Sequence, residues 1–412
     1  MAKSNIEKTP PKGAIKFSLT LSEEQKAAKQ AILHHPYNFI VGKAGSGKTL
    51  LACQVALDMF FKRMINKVII TRPTVSTEDN GFLPGSEKEK MEPWLVPIRS
   101  NMRKIYNKPE TLDRLEKEGL SIYPTPKSIR IIQNKATQKN FYKDNNVPTA
   151  PYSHYAYLEE LKHSFQNDII ELPFVWKAAR FGYDGTGVKI VRTFEDIENL
   201  PQGECIVEKL IPFKNELAVI VARSSNGEVT SYPVVEMEFH PEANQVEYVI
   251  CPARIDNSTA KKAREIALKV ADAFDFVGLL AVEMFQTEED EILVNEVAPR
   301  THNSGHYSIE ASYTNQFEQH LRSILNLPLG NTDNKVAGIM VNLVGAEGHT
   351  GDVVYENIDK ILQINGVTPH IYGKKITKPF RKMGHVTIVN KDINKARKVA
   401  QQVKKLIKVI SK

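Results

Sequence analysis

Glu283 and Glu296 each stand in the middle of an apolar run, LLAVEMF and ILVNEVAPR, that reads as a buried strand. A carboxylate in such surroundings is costly unless it is paired or holds a metal. Two of them on neighbouring strands, with Asn295 alongside, offer hard oxygen ligands for Mg²⁺, which in turn grips nucleotide phosphates. Lys177 in PFVWKAAR is a cation inside an apolar strand, suited to touching phosphate, and Lys135 adds a second such contact. RFGYDGTGV follows, and its Gly182, Gly185 and Gly187 suit a loop that folds over a triphosphate. The segment Glu208-Lys209-Leu210-Ile211 reads as a hinge that meets adenine with backbone groups, and Glu216 is placed to accept ribose hydroxyls.

Directly after the second carboxylate comes APRTHNSGH. Arg300, His302, Asn303 and Ser304 must therefore stand beside the terminal phosphate. A cation, an imidazole, an amide and a hydroxyl in one tight run are poor core material and good material for a polar substrate. His302 alone would read as a satisfied polar contact; the joint pattern overturns that. Farther on, YGKKITKPFRKMGH carries Lys374, Arg381 and Lys382 in a turn-rich segment, apt for a sugar phosphate.

A separate phosphate pattern lies near the N-terminus. Gly42 to Thr49 matches GxxxxGK[ST], after an apolar run and opening a helical one. There Gly42 and Gly47 let backbone N–H groups and the helix dipole surround phosphate oxygens, Lys48 adds charge, and Thr49 offers a hydroxyl to Mg²⁺.

The elements that must position these groups follow from periodicity. Before the glycine pattern, LSEEQKAAKQAILHH predicts a helix capped by Ser22, and YNFIV a strand. KTLLACQVALDMFF predicts an apolar-faced helix, and KVIITRP a second buried strand. Downstream, SIRIIQNKATQKNFYKDN reads as one helix, and residues 170–235 as a hairpin-rich region. The step Asn226-Gly227 marks a hairpin between alternating strands. A helix over STAKKAREIALKVADAFDF precedes the two carboxylate strands, and DINKARKVAQQVKKLIKVISK closes the chain as a helix. The formal net charge is +7, and much of the excess sits in that last helix, its lysines alternating with Val, Leu and Ile at helical spacing. This is a solvated face opposite a core face, not a nucleic-acid footprint with interleaved aromatics. No apolar run approaches the roughly 18 residues of a membrane span. The three cysteines, Cys53, Cys205 and Cys251, read as reduced core residues of a cytoplasmic protein.

Two resemblances sharpen this reading. LSEEQ, VIITRP, GFLPG and EKMEPWLVPI resemble PhoH-like P-loop ATPases, which implies that Gln25 reads adenine. That resemblance stops at about residue 118, before the acidic strand such an ATPase needs for hydrolysis. Over the remaining 290 or so residues, IYPTPKSIRIIQNKATQKNFYKDNNVPTAPY, GYDGTG, ECIVEKLIPFKNELAVIVAR, NEVAPRTHNSGH and YGKK…RKMGH, in this order, resemble the N5-carboxyaminoimidazole ribonucleotide synthetases (PurK) of the ATP-grasp superfamily.

The resemblance implies an α/β and α+β architecture, an ATP-grasp fold with a small C-terminal domain, preceded by a truncated P-loop segment. The corresponding domains are 1–118, 119–330 and 331–412. It implies a carbon–nitrogen-bond-forming ligase in which ATP and bicarbonate give carboxyphosphate, which carboxylates aminoimidazole ribonucleotide in purine biosynthesis. Carried over by motif, Lys135, Lys177, Gly182, Tyr183, Asp184, Gly185, Thr186, Gly187, Val188, Glu208, Lys209, Leu210, Ile211, Glu216, Asn295 and Glu296 hold ATP, and Glu283 and Glu296 hold Mg²⁺, with Mn²⁺ the alternative. Tyr183, Asp184, Arg300, His302, Asn303, Ser304, Lys374, Arg381 and Lys382 line the ribonucleotide site. Of these, Asp184, Arg300 and His302 take part in the chemistry, Asp184 or His302 as general base. The expected partners are small molecules, with no membrane or nucleic acid, and a homodimer is left open. Thr186 stands where many relatives carry a basic residue. The Gly-rich Rossmann-like domain that opens the family has no counterpart, its place being taken by the PhoH-like segment.

Overall fold

A computed structural model describes residues 21–35, 38–41, 46–65, 68, 123–180, 187–240 and 245–412. The chain forms two compact units, Met1–Pro126 and Lys127–Lys412. In the first, helix α1 (Glu23–His34) begins at Ser22 with a reciprocal capping box to Gln25, and α2 spans Lys48–Phe61. Asp58 on α2 is buried and paired with Lys29 of α1 and Lys62, each at 3.1 Å. The strand expected at YNFIV is not formed over residues 38–41, where Phe39 and Val41 are almost fully exposed. Among the described residues no strand pairs with this segment, and an apolar run without a ladder has nothing to hold it extended. The expected strand KVIITRP, apart from Val68, and the loop GFLPG lie outside the described residues.

The second unit opens with two helices where one was expected, α3 (Pro126–Ile132) and α4 (Lys135–Asp144). Asn134 breaks the run. Its side chain caps α4 by accepting from the Thr137 N–H, and the Lys135 amide donates to Ala179 O instead of continuing a helix. The break places Lys135, one of the two lysines expected at the ATP phosphates, at the start of a helix.

A four-stranded antiparallel sheet follows, in the order β1 (Tyr152–Tyr155), β4 (Cys205–Lys209), β2 (Phe174–Ala178), β3 (Val188–Val191). It closes on its own core of Leu158, Leu161, Trp176, Ile197 and Val207. Gly187 enters β3 at φ +79°, a conformation that favours glycine.

The chain then crosses to a nine-stranded sheet. Its order is β10 (Ile292–Ala298), β9 (Gly278–Thr287), β5 (Phe213–Arg223), β7 (Val235–Phe239), β8 (Val246–Cys251), β11 (Ala337–Val344), β15 (Lys382–Asn390) and β13 (Val367–Ile371), with β6 (Val229–Ser231) paired to β5. The hairpin expected at Asn226-Gly227 joins β5 to β6. A small sheet of β14 (Ile376–Thr377), β12 (Gly351–Glu356) and β16 (Lys408–Ser411) completes the unit.

Strand alternation gives the large sheet two working faces. On β5, Leu217, Val219 and Val221 point to a core built with Ala263, Ala267 and Val270 of α5 (Asn257–Ala273). On the opposite face, Ala218 packs with Tyr307 and Ala311. Glu216 and Glu283 are out of phase with the helix-covered residues and share that opposite face. Helix α6 spans Gln316–Ile324, and α7 (Ile393–Leu406) buries Ala396, Ala400 and Val403 while leaving Lys395, Lys398 and Lys405 exposed. The closing helix stops short of its expected end, because residues 408–411 pair with β12 as β16. All three cysteines are buried and none is in a disulfide among the described residues, and no helix among those residues is long and apolar enough to cross a membrane.

Candidate active site

Antiparallel pairing sets Glu283 of β9 directly opposite Glu296 of β10. A β-bulge between Val294 and Glu296 makes this possible. Val294 and Val297 both stay in the helix-covered core, and the extra residue lets Asn295 and Glu296 both serve the opposite face. Glu296 accepts from Lys135 Nζ at 2.9 Å, and Asn295 Oδ1 accepts from Lys177 Nζ at 2.8 Å.

Electrostatics separates the two acids. Burial, reinforced by the negative charges of Glu296 and Glu216, pushes the Glu283 carboxyl up. The Lys135 ammonium beside Glu296 holds that carboxyl down. Burial works against the Lys135 charge, but Glu296, Glu208 and Glu283 outweigh it and raise its pKa. Glu216, one pair of residues along the sheet, is pushed up to about 7 by burial. The Glu296 side chain remains 45% exposed, so this acid is open to a ligand.

Fewer than three His, Cys, Asp or Glu side chains come together as a metal-holding group among the described residues. Two carboxylates facing each other nonetheless suit Mg²⁺, which commonly takes one or two protein carboxylates and completes its shell with water and phosphate oxygens. Burial first, then the negative charges of Glu296 and Glu216, raise Glu283, and a cation held between the two acids would offset both causes.

Sequence reasoning missed Lys139. It is 2% exposed, on the same side of α4 as Lys135 four residues earlier, and it pairs with Glu208 Oε1 at 3.0 Å. Lys177 pairs with Glu208 Oε2 at 2.9 Å, so one buried carboxylate holds two lysines apart. Burial lowers Lys139 to about 8, whereas the two lysines outweigh the burial of Glu208 and keep its carboxyl low. The Lys135–Lys139 spacing was the available signal. Lys209 ends β4 with an exposed side chain, and Leu210 and Ile211 lie in neither ladder as the chain passes between the two sheets. Val188 pairs with Lys177 across β2 and β3.

The polar run after β10 reaches the same face. His302 Nε2 lies 3.4 Å from Glu283 Oε1. Its Nδ1 accepts the Ser304 N–H at 3.3 Å and lies 2.9 Å from Ser304 Oγ. Ser304 is wholly buried, which gives it the task of holding the imidazole. Asn303 Nδ2 is buried with no hydrogen-bond partner among the described residues, and Arg300 is exposed. Lys382 acts electrostatically on Glu283, His302 and His306. Lys374 donates to Lys382 O at 2.6 Å, while Arg381 donates to Ile376 O at 2.7 Å. Gly182, Tyr183, Asp184, Gly185 and Thr186 lie outside the described residues, as does Gly42. Gly47, Lys48 and Thr49 belong to the other unit, where Gly47 precedes α2 at φ +81° and Lys48 Nζ reaches Ser46 Oγ at 3.4 Å.

Beside His302 stands a column that the sequence did not reveal. His306, His385 and His370 stack face to face, with centroids 4.6 and 4.4 Å apart. Tyr372 Oη lies 2.9 Å from His385 Nδ1, and His370 Nε2 lies 2.9 Å from Glu310 Oε1. Burial, helped by neighbouring positive groups, lowers His306 to about 4 and His385 to about 2. An unfolded imidazole titrates near pH 6.5, so between that value and the depressed ones the unfolded chain binds more protons. Stability from these two groups is therefore complete above about pH 6.5 and falls below it, by about 1.4 kcal/mol per pH unit for each imidazole. Denaturant unfolding of His385→Leu should lose part of that slope; an unchanged slope would remove the column from the acid response.

Similarity to known proteins matches this geometry. Residues 140–317 match the ATP-grasp domain, 338–399 the phosphoribosylaminoimidazole carboxylase C-terminal domain, and 19–130 the PhoH-like protein family. The chain is 43% identical over 263 residues to N5-carboxyaminoimidazole ribonucleotide synthase of Bacillus subtilis, covering 63% of this chain and 67% of that one. The crystal structure of the synthetase from Thermotoga maritima superposes with a TM-score of 0.66 at 44% identity, covering 74% of this chain and 79% of that one. The Aspergillus clavatus enzyme, solved in complex with ADP and 5-aminoimidazole ribonucleotide, gives a TM-score of 0.66 at 28% identity, covering 89% and 96%. By these matches the chain belongs to the N5-carboxyaminoimidazole ribonucleotide synthases, enzymes built on the ATP-grasp fold.

Proposed function

We propose that this chain carboxylates 5-aminoimidazole ribonucleotide on its exocyclic amine, at the expense of ATP and bicarbonate. The observation that carries the reading is the cross-strand pair Glu283–Glu296, ringed by Lys135, Lys177 and His302. ATP would lie along that face, its phosphates met by Lys135 and Lys177, its base by the backbone of Leu210 and Ile211, and its ribose by Glu216. Glu283 and Glu296 would hold Mg²⁺, which would supply positive charge against the phosphates during phosphoryl transfer.

A bicarbonate oxygen attacks the terminal phosphorus, the bond to ADP breaks, and carboxyphosphate forms. The amine then attacks the carboxyl carbon, phosphate leaves, and the nitrogen loses a proton. Arg300 is suited to steady bicarbonate, and Lys374, Arg381 and Lys382 to meet the ribonucleotide phosphate. The unprotonated nitrogen of His302 is occupied by the Ser304 N–H, so its other nitrogen carries the proton and donates. That favours Asp184 as the general base of the two candidates. The segment Gly182 to Thr186 would shield carboxyphosphate from water.

Purified protein should release ADP quickly only when bicarbonate and the ribonucleotide are both present. Turnover that ignores both, responds to RNA, and is abolished by Lys48→Ala would instead favour a P-loop ATPase.

A further inference from the structure

Gln316, the first residue of α6, is wholly buried and belongs to none of the site roles above. Its Oε1 accepts the His302 N–H at 2.9 Å, while its Nε2 donates to the His302 carbonyl at 2.9 Å and reaches His306 Nδ1 at 2.9 Å. The amide cannot be turned round. The backbone N–H can only donate, so the oxygen must face it, and the amine must then face both the carbonyl and the His306 ring. With both amine hydrogens given away, His306 Nδ1 can only accept. The proton of a neutral His306 therefore sits on Nε2, which has no hydrogen-bond partner among the described residues.

The same logic fixes His302. The Ser304 N–H occupies Nδ1, so Nε2 carries the proton there too. The His306 ring is buried, and burial holds its pKa low, which favours the neutral form. The approach is tight. A Cβ added at Gly305 would lie 2.5 Å from Gln316 Oε1 and 2.3 Å from Ile220 Cδ1, so glycine is what lets the loop settle on the amide. The loop is locked from the other side as well: the Gln316 N–H donates to Ser308 Oγ at 3.0 Å, and that hydroxyl donates to Gly305 O at 2.5 Å. The ring of His306 is clamped between Phe317 and His385, which fixes its plane.

We propose that Gln316 is a positioning residue that sets His306 as an Nε2–H donor, so that together with Arg300 and Lys382 it presents donors to an anionic oxygen of the substrate. His306 thereby becomes a further substrate-binding residue. The kinetic part of this rests on the carboxylation reading; the tautomer part does not.

The test uses the full-length protein with ¹⁵N-labelled histidine, the two rings being assigned with His302→Gln and His306→Gln. Long-range proton–nitrogen spectra of the wild type should show His306 as the Nε2–H tautomer. In Gln316→Glu, which can accept from the His302 N–H but cannot donate to His306, the His306 signal should shift towards the Nδ1–H or charged form. Its kcat/KM for the ribonucleotide should fall about 10- to 100-fold with the KM for ATP unchanged. A wild-type spectrum with His306 protonated on Nδ1 would overturn the proposal whatever the enzyme's activity. So would a Gln316→Glu protein whose His306 signal stays in the wild-type form. If the chain fails to carboxylate yet both spectra behave as expected, the positioning role stands and the reaction assignment falls.

Discussion

Glu296→Gln should lower ADP release in the presence of bicarbonate and ribonucleotide by at least about 100-fold, while the protein stays folded. Glutamine keeps the shape and can still accept from Lys135, 2.9 Å away, so the change removes a charge and little else. Glu296 sits opposite Glu283, and its charge is part of what pushes that carboxyl up. Losing one acid leaves a single carboxylate to hold a divalent cation that needs at least one and is better held by two. The apparent Mg²⁺ requirement should rise accordingly, and Glu283→Gln should behave alike. Retention of more than about a tenth of the wild-type rate by Glu296→Gln would contradict a shared cation between the strands.

Lys139→Met should cost about 3 kcal/mol of stability, the lower end of the range for orphaning a buried charge, because Lys177 still faces Glu208. For a unit of this size that is a fall of about 6–12 °C in Tm. Methionine fills the space of the lysine stem, so the loss reports charge rather than a cavity. Adding Glu208→Gln to Lys139→Met should recover part of the loss, since the stranded carboxylate is then gone. If Lys139→Met melts with the wild type, the buried lysine–glutamate–lysine bridge does not hold the site together. The variant should also weaken ATP binding, because Lys177 would be drawn from Asn295 towards the under-compensated Glu208.

The sequence marked candidate positions where it broke its own pattern. Carboxylates in the middle of apolar strands are expensive enough to stand out, and both reached one face. The same held for Lys177 and for the polar run from Arg300 to Ser304. Local signals also set the Ser22 cap, the two helices that follow it, and the hairpin at Asn226-Gly227. Where the sequence misled, a competing hydrogen-bond partner decided the outcome. The break at Asn134 depends on whether a side chain caps or continues a helix, and the end of α7 on a pairing with β12 far away in the chain.

By itself, then, the sequence determined which residues are too polar for their surroundings, and hence the kind of chemistry. The tertiary structure decided how they are held. The bulge that turns Asn295 and Glu296 to one face needs the β9 register, and Lys139 becomes a site residue only when β4 brings Glu208 to it. His370 and His385 lie far from His306 in sequence, and Gln316 is ten residues beyond it; only folding stacks the rings and aims the amide. The reason is physical: burial cost can be read one residue at a time, whereas hydrogen-bond partnership is a property of pairs that only the fold brings together.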